Sequence, residues 1–498
     1  RAAKMSSSTL APQVYGADEI NAVVLDPGSY TIRAGFGGYD SPTLVFPSSY
    51  GEHPKKEGED GFVRIFDENS LYAHPQSNTV IKPIMKDNLV QDWDGAIEQY
   101  EHMFKLMDVD PNEQPLLLTE STMNSHKNKV KALEVFLEQE QFCAFYAVKQ
   151  PTCVSFAHGR PNCLVVDIGH DLLTATPVID GICLKKQVMG TKYAGAFVDQ
   201  QLRQFLEEKK IKYNPIYSVK SKKPTYWESP ESHSQFEPKT FDNEVDPSVE
   251  SFNMNRTIQE MKETLLECCA EDEQVERKDF SDGEGKHDGN KNTDDDTLYF
   301  ELPDGLNVPF TKYERQQLSN SLFNPLETLS KPIRGWEKPH NGDIISTLGH
   351  GSEKTSKEYV PLRRSKRPDE NKSEKMQAIL AKFKREKAQR GMGVSRLVQT
   401  VLDNLDIDLR PQLANNIVLT GATSLIPRLN ERLHSELTER NPSLKIRIHS
   451  VGNTSERKYS SWIGGSILSS LGTFHQLWVS KAEYEEVGAD KLIVSRFR

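Results

Sequence analysis

The chain has 498 residues, 62 Lys and Arg against 72 Asp and Glu, a formal net charge of −10, and six cysteines with no C-x-x-C pair. At roughly 150 residues per domain the length suggests about three folding units, ample for a large core without disulfide or metal staples. Mild acidity disfavours a body built to coat nucleic acid, sparse cysteine suits a reducing compartment, and no apolar run reaches the ~20 residues that span a bilayer.

In chain order, the first clear element is NAVVLD, Asn21 to Asp26. A short, almost wholly apolar run of this kind predicts a strand covered on both faces. A turn, PGSY, and a second strand, TIRAGFGG, follow. The pattern returns 141 residues later as NCLVVD (Asn162 to Asp167), IGHD and LLTATPVIDG. Each copy is a strand ending in Asp, a turn with Gly two residues on, and a returning strand. The distance is too long for a solenoid repeat and points instead to two related halves with a cleft between them. Further on, Ile417 to Leu419 predicts a strand, and TGATSLIP a small-residue turn that opens a helix. Ser461 to Leu477 predicts an apolar, partly buried helix.

Two stretches interrupt this alternation of strands and helices, which otherwise predicts an α/β fold. Residues 271–296 carry 11 acidic and 4 basic side chains and almost nothing apolar, too little to offset the entropy of ordering. Residues 330–391 begin rich in Pro, Gly and Ser, and from Arg363 to Arg390 carry 11 basic and 4 acidic residues. Lys372 to Arg390 reads as a charged helix with a thin apolar stripe. The run Arg363 to Arg367 fits a nuclear localisation signal or a nucleic-acid contact, and equally a solvated loop.

The turns carry chemistry. Gly28 and Gly169 let the backbone approach a ligand closely, and successive turn amides make an anion-binding nest. Asp26 and Asp167 would face one cleft from opposite sides, a pair of carboxylates suited to a hydrated divalent cation. Arg33 follows on the outgoing strand, within reach of a phosphate oxygen. For either hairpin alone an ordinary Asx-type turn explains as much; the repetition shifts the balance towards a nucleotide. The turn at Gly421 could hold a phosphate or nucleoside against a helix N-terminus.

With these residues in view, the sequence resembles the actin family. The hairpin of Asp26, Gly28 and Ser29 with RAGFGGYDSP looks like the family's first phosphate loop, and Asp167-Ile168-Gly169 like its second. The run ERKYSSWIGGSILSSLGTFHQLWVSKAEYEEVG, Glu456 to Gly488, is similar almost throughout, and ELPDG and GRP also fit. The resemblance implies an actin-like α/β fold: two ribonuclease-H-like domains, four subdomains, and ATP with Mg²⁺ in the cleft. The first lobe is expected at 15–157 and 460–498, with 48–81 as its small subdomain. The second is expected at 158–459, with 194–317 as its small subdomain, the stretches 271–296 and 330–391 being charged inserts.

The resemblance also implies site residues. Asp26, Gly28, Ser29, Tyr30 and Arg33 fall on the first loop; Asp167, Gly169, His170 and Asp171 on the second. Gly195, Lys262, Glu263, Gly421, Ala422, Thr423 and Lys458 fall on the remaining nucleotide contacts. Gln150, at the hinge, matches the glutamine that helps place the attacking water. Asp26 and Asp167 would hold Mg²⁺ through water.

Departures from the family bear on activity. Tyr30 replaces a glycine and crowds the phosphates, Arg33 stands for a lysine, and Thr174 for the water-orienting histidine. Ala422 replaces a glycine and Ile426 an adenine-stacking tyrosine. Placing the water is most of what a protein adds to this phosphoryl transfer, so nucleotide binding with weak or absent hydrolysis is expected. Between Pro47 and Ile84 the apolar loop used in polymerisation is not evident, so no homopolymer is expected.

Within the family the opening QVYGADEINAVVLDPGSYTIRAGFGG, the block Cys153 to Asp171 and the ending VSRFR are most similar to the nuclear actin-related protein 4 type. That likeness implies a non-catalytic, ATP-bound subunit of SWR/INO-type chromatin remodellers and a histone acetyltransferase complex. Its implied partners are actin, a helical segment of a large scaffold subunit, and histones or the nucleosome. The alternative is a filament-forming cytoskeletal actin-like ATPase.

Overall fold

The computed structural model describes residues 21–55, 61–72, 78–226, 234–241, 244–269, 296–325, 344–346, 392–450 and 453–497. The acidic stretch up to 295, the basic run 363–367, the expected helix 372–390 and most of the 330–391 insert lie outside these residues.

The fold is mixed α/β and built around two sheets of one design. In the first, the strand order is Leu44–Pro47, Thr31–Phe36, Val23–Pro27, Leu116–Glu120, Ala144–Lys149, with Val479–Ser480 at the far edge. In the second it is Met189–Thr191, Leu173–Ile179, Cys163–Ile168, Ile417–Thr420, Ile448–His449. Leaving aside Val479–Ser480 in the first sheet and the added strands Ile344–Ser346 and Ile182–Cys183 in the second, the five common strands of each sheet run third, second, first, fourth, fifth in chain order. In both, the first two strands form an antiparallel hairpin and the fourth lies parallel to the first.

The apolar runs are legible in this architecture. Val23 and Leu25 point into one core with Ile32, Phe136 and Phe145, while Val24 points the other way onto Leu117, Cys153 and Trp462. Leu164, Val166 and Ile168 join a second core with Met261 and Leu419, while Cys163 and Val165 face Val154 and Val418. Side chains alternate along a strand, so a run without polar residues requires cover on both faces. Much of the inner cover comes from two helices, Gln150–Ala157 and Thr454–Ser470. They cross at Gly464, where an added Cβ would lie 1.8 Å from the Cys153 carbonyl oxygen. Trp462 is fully buried there and donates its indole N–H to the Val24 carbonyl at 3.1 Å.

Two expectations change. The C-terminal helix starts at Thr454, capped by the Asn453 side chain, and ends at Ser470; a 3₁₀ turn, Gly472–Gln476, replaces its last stretch. Apolar patterning cannot see a helix start made by a polar cap. Within the second insert, Ile344–Ser346 forms a strand antiparallel to Met189–Thr191 and extends the second sheet. Among the described residues no helix is long and apolar enough to cross a membrane.

Candidate functional site

The two hairpins meet the cleft at the carboxyl ends of their strands, where open α/β sheets bind ligands. Their turns are alike in detail. Gly28 N–H donates to the Thr31 carbonyl at 3.1 Å, and Gly169 N–H to the Leu172 carbonyl at 3.0 Å. Both glycine amides thus close their own hairpins. The following residues, Ser29 and Tyr30 in one loop and His170 and Asp171 in the other, line the cleft. The ladders repeat as well: Asp26 pairs with Arg33, and Asp167 with Thr174.

The cleft encloses about 1130 Å³, open mouth included. Seventeen of the expected residues line it: Asp26, Gly28, Ser29, Tyr30, Arg33, Gln150, Asp167, Gly169, His170, Asp171, Thr174, Lys262, Glu263, Gly421, Ala422, Thr423 and Lys458. Gly195 does not. It sits behind the second loop, its N–H donating to the Gly169 carbonyl at 3.0 Å, and a Cβ there would lie 2.7 Å from the Thr423 hydroxyl. Its role is to let the helix Gly195–Glu208 start hard against that loop. Ile426 is buried in the second core and does not line the cleft.

Asp26 is fully buried and completely satisfied. One oxygen accepts from Arg33 Nη1 at 2.7 Å; the other accepts from the Thr119 hydroxyl, from Ser461 at 3.1 Å and from Gln150 at 3.3 Å. Arg33 is therefore the counter-ion of Asp26, and it also lines the cleft. Asp167 carries no comparable set of donors. Burial, and next the Asp26 charge, push its carboxyl up to about 6, with Arg33 opposing. Two acids against one guanidinium leave room for added positive charge, so the residues present suit a divalent cation.

The second loop is braced from the other side. Lys262 Nζ lies 2.7 Å from Asp199, and His170 Nδ1 lies 3.8 Å from the same carboxylate. Burial holds the His170 imidazole below its ordinary value, against the pull of Asp199. Thr423 donates its hydroxyl to the Gly169 carbonyl at 2.9 Å, tying the Gly421 turn to the loop. Gly421 has φ +91°, and a Cβ there would lie 2.5 Å from an Asp167 oxygen. Glycine is required by both facts.

Sequence reasoning missed one element. Asp87 and Asn88 form the two-residue turn between Met85–Lys86 and Leu89–Val90, both with positive φ. Asp87 N–H donates to Asp171 at 2.8 Å and Asn88 N–H to the Ser29 hydroxyl at 2.9 Å. Asn88 also donates to the Gln150 side chain at 3.0 Å, and Lys192 pairs with Asp87 at 2.8 Å. This turn joins both phosphate-type loops and the hinge glutamine. The Asp-Asn pair, two residue types that tolerate positive φ in turns, was its available signal. Ser121, Thr122, Gln259, Thr420 and Ser461 also line the cleft without a sequence signal of their own.

The chain is similar to curated proteins named actin-related protein 4. It is 41% identical to the one from Candida albicans over 97% of this chain and 98% of that protein. It is 40% identical to the one from Debaryomyces hansenii and 39% to the one from Saccharomyces cerevisiae, each over 99% of this chain and 100% of the relative. The family profile described as Actin matches residues 17–498. With paired hairpins, a cleft between two sheets of one order and this match over almost the whole length, the chain belongs to the actin family.

Proposed function

We propose that the chain is a nucleotide-holding, non-catalytic subunit of nuclear chromatin-remodelling complexes of the SWR/INO type and of histone acetyltransferase complexes. In this reading it sits in the nucleus and pairs with actin along a scaffold helix. It assists contact with histones or the nucleosome and forms no homopolymer. Full-length similarity to actin-related protein 4 supports the assignment.

ATP with Mg²⁺ is the proposed ligand. The amides of Ser29, Tyr30, His170 and Asp171 would face the phosphates, and Lys262, Glu263 and the Gly421 turn the nucleoside. Asp167, with Asp26 behind it, would hold the ion's water shell; bound Mg²⁺ would neutralise phosphate charge. A ligand held from both hairpins stabilises the closed form by binding the native state alone.

The observation that carries the non-catalytic half is Thr174. It stands across the ladder from Asp167 and has no ring nitrogen to orient a water. His170, whose imidazole lines the cleft, is flanked by Asp199 at 3.8 Å and Asp171 at 3.9 Å. Tyr30, whose ring lies 5.0 Å from His170, adds bulk over the same space.

The test is purified full-length chain with labelled ATP and Mg²⁺. Stoichiometric retention without phosphate release is expected, with turnover raised by Thr174→His. Turnover at the level of conventional actin, unchanged by Thr174→His, would refute the argument. Filaments in a pelleting assay would favour the cytoskeletal alternative, and a purification from nuclear extract lacking both actin and a scaffold subunit would oppose the architectural role.

A further inference from the structure

The helix Pro247–Leu265 carries more than a nucleotide contact. Ser248, Phe252, Arg256, Gln259 and Glu263 follow one another at spacings of four, four, three and four. At 100° per residue they fall within an arc of about 80°. The opposite side, with Thr257, Ile258, Met261 and Leu265, is buried. The far end of the stripe, Gln259 and Glu263, lines the cleft.

The near end of the stripe does something different. It grips the small sheet region that follows the first hairpin, on the other side of the cleft. Phe252 stacks on Tyr72 with ring centroids 4.8 Å apart and planes 21° apart. The Arg256 guanidinium lies 4.5 Å from the centroid of the same Tyr72 ring. One turn earlier, the Ser248 hydroxyl accepts from Ile81 N–H at 2.9 Å, held in place by its own bond to Asp246 at 2.6 Å. Tyr72 is half-buried, and burial first, then the Glu68 charge, raises its phenol to about 12, with Arg256 and next the Tyr30 hydroxyl opposing. Tyr30 in turn reaches His170 across the cleft.

We propose that Tyr72, Phe252 and Arg256 form a cross-cleft latch which governs release of the bound nucleotide. The stripe makes the coupling mechanical. One straight helix holds the nucleotide side at Gln259 and Glu263 and the opposite wall at Ser248, Phe252 and Arg256. The wall carrying Tyr72 cannot swing out to free a ligand until the aromatic stack parts. The stack sits outside the cleft lining, so it acts on the rate of opening rather than on the bound contacts. The inference rests on the nucleotide reading of the cleft.

The experiment uses the full chain loaded with N-methylanthraniloyl-ATP and chased with excess unlabelled ATP in a stopped-flow instrument. Tyr72→Ala, which removes both the stack and the ring beneath the Arg256 cation, should release label about tenfold faster, and Phe252→Ala, which removes the stack alone, about fivefold faster. The double variant should release no faster than Tyr72→Ala, because that change already deletes the stack. Tyr72→Phe, which keeps the ring, should stay near the parent rate. Arg256→Gln, which leaves the aromatic pair intact and so guards against a folding artefact, should release about threefold faster. Release by all ring-deletion variants within twofold of the parent would overturn the latch. A parent chain that takes up no labelled nucleotide would overturn the nucleotide reading and the latch together.

Discussion

Replacing Arg33 by Gln tests the centre of the site. Arg33 Nη1 lies 2.7 Å from an Asp26 oxygen, and Asp26 is fully buried. At an effective dielectric of about 20, unit charges at that separation attract by ~6 kcal/mol. Desolvation consumes much of this, and deleting one partner of such a pair costs about 3–5 kcal/mol because the other charge stays buried. Asp26 would keep the donors Thr119, Ser461 and Gln150, so the lower end, about 3 kcal/mol, is the expected loss. Adding Asp26→Asn removes the stranded charge and should recover at least about 1.5 kcal/mol, a coupling typical of residues in one network. The measurement is denaturant unfolding of the nucleotide-free chain, single and double variants together. The counter-ion argument fails if Arg33→Gln costs under about 1 kcal/mol there while sharply weakening ATP binding. That result would make Arg33 a phosphate ligand that merely rests on Asp26.

Gly464→Ala pushes a methyl group to 1.8 Å from the Cys153 carbonyl oxygen and prises the two central helices apart; a loss of about 3 kcal/mol or more and a thermal midpoint roughly 5 °C lower are expected. Gly421→Ala places a Cβ at φ +91° and 2.3 Å from the Ile168 carbonyl oxygen; calorimetry should show ATP binding weakened at least about tenfold, since the turn must move and strain of this kind costs ~1–3 kcal/mol. Burial first, and Glu101 second, raise the Glu140 carboxyl to about 7. A folded-state value above the unfolded one gives stability that is present at low pH and lost as pH rises from about 4.5 to about 7. Glu140→Gln should therefore raise the thermal midpoint at pH 8 and leave it nearly unchanged at pH 4.5.

Much of the site was legible because it is local. A hairpin of strand, turn and strand needs a dozen neighbouring residues, so AVVLDPGSY and its later echo announced both loops. Wholly apolar runs announced cover on both faces. Other parts were not local. The donors to Asp26 come from Thr119, Gln150 and Ser461, which are 93, 124 and 435 residues away. No period or motif connects them. The Asp87-Asn88 turn looks like any two-residue hairpin until folding sets its amides against Ser29 and Asp171.

By itself, then, the sequence determined which segments pair and which turns can meet an anion, since backbone propensity and apolar alternation act over a few residues. Tertiary structure decided how charge is shared inside the cleft. It gave Arg33 to Asp26, took the Gly28, Gly169 and Gly195 amides for internal bonds, and left Asp167 as the carboxyl whose charge is unsettled. It also turned a spacing of four, four, three and four on one helix into a contact across the cleft. Burial is the physical reason: desolvated groups are satisfied by whichever partners the fold brings within 3 Å or so, and the chain's order does not name them.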